Sequence, residues 1–215
     1  MIRNWRTTAG VALALSAVAT AQESAPAKID LAKAQQTATQ ICAACHGPDG
    51  NSATSANPNL AGQHANYITV QLAHFKAGIR VNAIMQGMVA NLSDDDMRSL
   101  GVYFSQQKPR GLTAKDSALV KVGQKIFRGG DQVKELPACA ACHSPTGAGI
   151  PKNYPRVAGQ YADYTYAQLK AFKAGDRGAD KAGKDANGRI MSAIAEKMSD
   201  DQMKAVADYM AGLRN

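Results

Sequence analysis

Aromatic residues are scarce in this 215-residue chain, at 6%, and its single tryptophan, Trp5, lies close to the N-terminus. A domain of about a hundred residues with few large rings struggles to bury enough apolar area by itself. Cysteines number only four, and all of them fall in two short motifs, so none is spare for a disulfide framework. Long apolar runs are missing too: residues 9–19 are too few to cross a bilayer comfortably, and nothing later in the chain is apolar enough. Acidic residues are the minority charge, 17 against 25 lysines and arginines, for a formal net charge of +8.

What the chain does contain is one pentapeptide written twice, Cys42-Ala43-Ala44-Cys45-His46 and Cys139-Ala140-Ala141-Cys142-His143. This pattern reads as a c-type haem attachment site. Two thiols on one turn can each form a thioether with a vinyl group of the same porphyrin. The next residue then supplies an imidazole, kept by the tether at high effective concentration beneath the iron. A zinc knuckle, a thioredoxin-like pair and a plain disulfide each account for less. Zinc ribbons bring their pairs about 15–20 residues apart, and a redox dithiol needs no histidine directly after it. The expected cofactors are two covalently attached haem c groups, with His46 and His143 as proximal ligands.

Residues 1–21 read as a secretory signal: Arg3 and Arg6 form a basic start, and Ala19-Thr20-Ala21 offers a small-x-small cleavage site. An uncleaved N-terminal anchor is the other reading of this segment. After it the chain is a tandem duplication. Ninety-seven residues separate Pro58 from Pro155, Ala61-Gly62-Gln63 from Ala158-Gly159-Gln160, Tyr67 from Tyr164, and Phe75-Lys76-Ala77-Gly78 from Phe172-Lys173-Ala174-Gly175. From Ile84-Met85 against Ile190-Met191 onward the separation is 106, which places a net insertion in the second half between Gly175 and Ile190. Lys108-Pro109-Arg110-Gly111 interrupts the helical pattern. The organisation expected is an N-terminal domain over 22–108, a linker over 109–116 and a C-terminal domain over 117–215.

Each half reads as helical. Residues 31–42 and 119–128 have helix-compatible composition ahead of the attachment sites. Tyr67, Gln71, Leu72 and Phe75 recur at helical spacing, with Gly78 as a stop, and residues 164–175 repeat the pattern. Ser93 to Asp96 and Ser199 to Gln202 resemble capping boxes opening the last helix of each half. The buried stripes of those helices are Met97, Leu100, Gly101 and Phe104 against Met203, Val206, Ala207 and Met210.

The sixth iron ligand decides between a carrier and an enzyme. His64 and His74 align with Tyr161 and Ala171, so neither is reproduced, and both read as surface or packing residues. Met88 faces Ile194 and drops out, while Met97 and Met203 fall on apolar stripes where a thioether is core filler. Met85 and Met191 lie ahead of the last helix's cap, after a glycine-containing loop, and are assigned as distal ligands. With nitrogen and sulfur on both irons no coordination position is open to a reagent, which suits one-electron exchange.

These residues, with Gly47 and Asp49-Gly50-Asn51 after the first site, Leu60 before Ala61-Gly62-Gln63, and Phe127-Arg128-Gly129-Gly130 ahead of the second, resemble the dihaem cytochrome c4 family along the whole mature chain. The resemblance implies an all-α fold of two tandem class I cytochrome c domains about a pseudo-twofold axis, with haem propionates near one another. It implies that Met85 and Met191 ligate iron. It also implies that Pro58 and Pro155 offer carbonyls to the proximal imidazoles. The role it implies is respiratory: electrons pass in the periplasm from a quinol:cytochrome c reductase to a terminal oxidase, often with loose attachment to the inner membrane. The longer polar loop 176–188 departs from the first half and bears on haem exposure in the second domain. A dihaem peroxidase or an electron-transfer subunit of a periplasmic dehydrogenase, such as a sulfide-oxidising flavocytochrome, are the rivals.

Charge is divided unequally between the halves. Residues 22–108 hold 6 basic and 6 acidic side chains; residues from 109 onward hold 17 and 11. A lopsided charge of this kind orients a carrier toward an acidic partner. Nucleic acid is not an expected partner, because the chain is read as exported and its lysines are not interleaved with aromatics. No small-molecule substrate is expected.

Overall fold

The computed structural model describes Met1 and residues 28–178 and 183–214; apart from Met1, the signal read over 1–21 lies outside the described residues. Among those described, the chain is helical, with two isolated antiparallel bridges, Asp131–Leu136 and Ile150–Tyr154, and no named strand. The first half runs α1 (Leu31–Thr37), a π-helical turn (Ala38–Cys42), α2 (Ala43–His46), α3 (Ala65–Lys76), α4 (Ala83–Val89) and α5 (Asp94–Ser105). The second runs α6 (Ser117–Gly129), α7 (Ala140–His143), α8 (Ala162–Ala174), α9 (Ala186–Glu196) and α10 (Asp200–Gly212).

The helices start where local chemistry supplies caps. Asp30 accepts from the Lys33 amide at the head of α1, and Asp116 accepts from Ala118 and Leu119 at the head of α6. Ser93 and Ser199 form full capping boxes with Asp96 and Gln202. In each half the first helix packs on the last, α1 on α5 and α6 on α10. The expected stripes are buried on both final helices, with Met97 at 2% and Met203 at 3% exposure, as befits core filler.

At the α6–α10 crossing the backbones nearly touch. A Cβ added at Gly123 would stand 2.1 Å from the Ala205 carbonyl oxygen. Gly123→Ala is therefore expected to destabilise the C-terminal half by about 3 kcal/mol, measured as a lower denaturant midpoint with the same slope. At the other crossing, Asp96 joins its capping box to an ion pair with Lys33 of α1 at 2.6 Å. The Lys33 hydrogen bond, and those from Ser93, lower its carboxyl from 3.8 to about 2. A depressed carboxyl contributes its full stability above the unfolded value and loses it as pH falls toward the folded one. Acid titration of Asp96→Asn is accordingly expected to show a shallower loss of stability between about pH 4 and pH 2 than the parent protein.

Two segments break the duplication. Twelve residues separate the cap Asp30 from Cys42, but twenty-three separate Asp116 from Cys139. The extra length forms the loop closed by the Asp131–Leu136 bridge. The second is the insertion after α8. Arg177 occupies the place of Arg80, so the extra residues begin beyond it, and α9 opens at the Asp185 cap.

The halves meet about a pseudo-twofold axis, visible in reciprocal hydrogen bonds. Gln63 grips the backbone of Arg156, accepting from its N–H at 2.9 Å and donating to its C=O at 2.9 Å. Gln160 grips Asn59 in the same way, at 2.9 and 3.0 Å. Each glutamine, and each backbone it holds, lies 97 residues from its counterpart, which is how a twofold axis relates contacts. The connection between halves is bound to both: Arg110 donates to Asn51 and Ser52, while the amides of Lys115 and Asp116 donate to the buried Asp208 carboxylate.

Candidate functional site

Each Cys-x-x-Cys-His sequence is wound into a single turn ending in a buried histidine, His46 on α2 and His143 on α7. The following residue reverses the chain at positive φ: Gly47 at 75° and, in the equivalent place, Ser144 at 65°. Glycine adopts this conformation freely and serine does not, so Ser144 is strained. Its Oγ accepts the Ala148 amide at 3.0 Å, which offsets part of that strain.

The reversal brings a proline carbonyl over each imidazole. His46 Nδ1 lies 3.0 Å from the Pro58 oxygen and His143 Nδ1 lies 2.9 Å from the Pro155 oxygen. A carbonyl only accepts, so Nδ1 carries the proton and the Nε2 lone pair is left to bind metal. Burial lowers the basicity of both rings, against the opposing effect of the proline hydrogen bond. Both are therefore neutral near pH 7, the form a metal requires.

All four cysteines are free thiols. Burial pushes the Cys42 and Cys139 thiols up to about 11. A redox dithiol needs the opposite, a depressed value that yields thiolate at neutral pH. Among the described residues no group of three or more His, Cys, Asp and Glu side chains is arranged to hold a metal ion.

Met85 and Met191 lie after glycine-containing segments and ahead of the last helix of each half, Met85 on α4 and Met191 on α9, both half-buried. Caps invisible to a periodicity argument start these helices, Asn82 accepting from the Met85 amide and Asp185 from the Gly188 amide. Gly188, read as the end of the polar loop 176–188, is helical here. Met191 packs against the same apolar cluster as Cys139, whereas Met85 lies outside the first half's cluster. His64 is half-buried and His74 buried, both as packing residues, and His74 Nδ1 lies 3.8 Å from the Asp185 carboxylate.

The donor set suits haem c: paired thiols on one turn, an oriented neutral imidazole and, in the second half, a thioether on the same apolar cluster as Cys139. Ile41 beside Cys42, Ile84 beside Met85 and Ile190 beside Met191 are exposed in spite of being apolar, providing surface that a porphyrin would cover. The interface glutamines, and the arginines Arg80 and Arg177, carry no role in the sequence reading. Extending the 97-residue comparison by two positions beyond Gly175 would have exposed the arginine pair.

Two family models match the chain, one described as Cytochrome c over residues 120–214 and one as Cytochrome C oxidase, cbb3-type, subunit III over residues 30–104. The chain is 41% identical over 192 residues to a cytochrome c4 of Azotobacter vinelandii, covering 85% of this chain and 89% of that protein. It is 39% identical over 173 residues to a thiosulfate dehydrogenase electron acceptor of Thiomonas intermedia, covering 79% and 77%. Reduced recombinant cytochrome c4 from Pseudomonas stutzeri has the same fold, with a TM-score of 0.79 at 38% identity over 87% of this chain and 100% of that one.

Proposed function

The chain belongs to the cytochrome c4 family of electron carriers, and from that premise we propose that it passes single electrons in the periplasm from a quinol:cytochrome c reductase to a terminal oxidase. It carries two covalently bound haem c groups and is not an enzyme. Cys42 and Cys45, and Cys139 and Cys142, are the attachment thiols in this reading. His46 with Met85, and His143 with Met191, are the axial ligands. The supporting observation is the pair of His–Pro contacts at 3.0 and 2.9 Å, repeated in both halves.

Haem supplies the one-electron couple. The protein holds each imidazole in one tautomer through Pro58 or Pro155 and offers a soft sulfur that favours the reduced state. Its apolar walls limit solvent reorganisation. Residues 1–21 serve as the export signal and 109–116 as the linker between domains. Among the described residues no helix is long and apolar enough to cross a membrane.

A pyridine haemochrome assay on the purified protein tests the reading: two thioether-linked haems per chain are expected, with the weak red charge-transfer band of sulfur-ligated ferric iron. One haem, or ready carbon monoxide uptake by the resting protein, would overturn it. The excess of basic side chains beyond residue 109 suits docking of that domain on an acidic partner. Partner reduction rates that fall steeply with ionic strength are the expected result, and insensitivity to salt would dispose of steering.

A second reading has its own support in the thiosulfate dehydrogenase electron acceptor of Thiomonas intermedia. Here the electron donor is a periplasmic dehydrogenase and not a quinol-oxidising complex. Stopped-flow reduction by each donor class separates the two, since the physiological donor reduces the carrier at near-diffusional rates and the other does not.

A further inference from the structure

We propose that Arg80 and Arg177 form one shared cationic seat for carboxylates, occupied by propionate side chains of both haems, so that a single guanidinium pair sets the potential of each centre. The proposal rests on the dihaem reading above. Arg80 of the first half donates to Gln71 at 2.7 Å and reaches across to Tyr164 at 2.9 Å and Gln168 at 2.8 Å. Arg177 of the second half donates to Gln168 at 2.8 Å and reaches back to Tyr67 at 2.8 Å and Gln71 at 3.0 Å. Each glutamine oxygen thus accepts from both arginines, and the two cations converge on the pseudo-twofold axis. Each guanidinium also stacks on a phenylalanine of its own half, Arg80 over Phe75 at 4.6 Å and Arg177 over Phe172 at 4.4 Å.

The partners in those contacts are amide and phenol side chains, with no carboxylate among them. Among the described residues neither guanidinium has a carboxylate within 4.0 Å, although Asp185 acts on Arg177 from farther away. The two like charges lie close together, one of them on a side chain only 8% exposed, with the Asp185 carboxylate farther off, so a second anion between them would find a favourable place. The field at the site is positive: burial alone would raise the Tyr164 hydroxyl, yet the two guanidinium groups bring it below its ordinary value. A planar fork of N–H donors matches a carboxylate. An anion delivered equally from both halves to a twofold site suits propionates, which arrive one haem per domain.

Removing either cation withdraws positive charge that favours the electron-rich ferrous state. Spectropotentiometric titration of the holoprotein gives the test, with Arg80→Gln, Arg177→Gln, the two lysine variants, and Gln63→Ala/Gln160→Ala, which weakens domain docking without altering charge. Each Arg→Gln variant is expected to lower the ferrous:ferric ratio of both haems about tenfold at fixed ambient potential, the size of a buried unit charge acting over roughly 10 Å at an effective dielectric of about 20. That is about 59 mV for a one-electron couple. The lysine variants should retain most of the potential, and the glutamine double variant should change the ratio less than about threefold. A change confined to one haem, or absent from both, would overturn the proposal. So would an equal change in the docking variant, or a wild-type potential that moves with added phosphate at constant ionic strength, which would identify a free anion. A wild-type haemochrome count below two would instead sink the dihaem reading itself.

Discussion

Prepared without haem, the chain is expected to lose its cooperative unfolding transition and to show reduced helicity by circular dichroism at room temperature. The two apolar clusters are modest, one built around Phe104, Leu100 and Ile68 and the other around Phe127, Val206 and Met198. The four cysteines are free, so no disulfide limits the unfolded ensemble. The attachment turns are four residues each, far too short to persist as isolated helices. Haem held as proposed would, by contrast, tie α2 or α7 to the helix bearing the methionine and cover exposed apolar side chains such as Ile41, Ile84 and Ile190. A ligand bound only by the native state adds its binding free energy to stability. The double variant Cys42→Ser/Cys45→Ser checks this one domain at a time. The N-terminal transition should disappear while the C-terminal one survives, and a sharp native-like melt of haem-free protein would count against the whole account.

Replacing the assigned sulfur ligands should have the other large effect. Met85→Ala is expected to lower the potential of the N-terminal centre by on the order of 0.2 V, a fraction of the roughly 0.8 V over which axial ligands tune haem. The variant should also bind carbon monoxide in that domain alone. Met191→Ala should do the same in the C-terminal domain. Met88 is the informative control, because it shares α4 with Met85 and is 50% exposed. If Met88→Ala rather than Met85→Ala opens the iron, the ligand assignment moves by one turn of the helix.

Much of this was legible from residues close together in the chain. The capping boxes at Ser93 and Ser199, the buried stripes beginning at Met97 and Met203, and the helices before and after each attachment site all follow from spacings of three and four residues. The reading failed where local composition and packing disagreed. The polar loop read over 176–188 ends sooner than its glycines suggest, because the Asp185 cap opens α9 at Ala186 and that helix packs on α8. The extra loop ahead of Cys139 was likewise hidden, because it interrupts the repeat without any signal of its own.

The cofactor and the doubling of its site were determined by sequence alone, because two thiols and an imidazole within five residues make attachment and ligation a single local event. How the two halves face each other was decided only in three dimensions. The bonds that join them, from Gln63 to Arg156, Gln160 to Asn59, and Arg80 and Arg177 to each other's tyrosines, link residues 84 to 110 positions apart. No periodicity encodes such pairs, since their energy exists only once both domains have folded and brought complementary donors and acceptors to one surface.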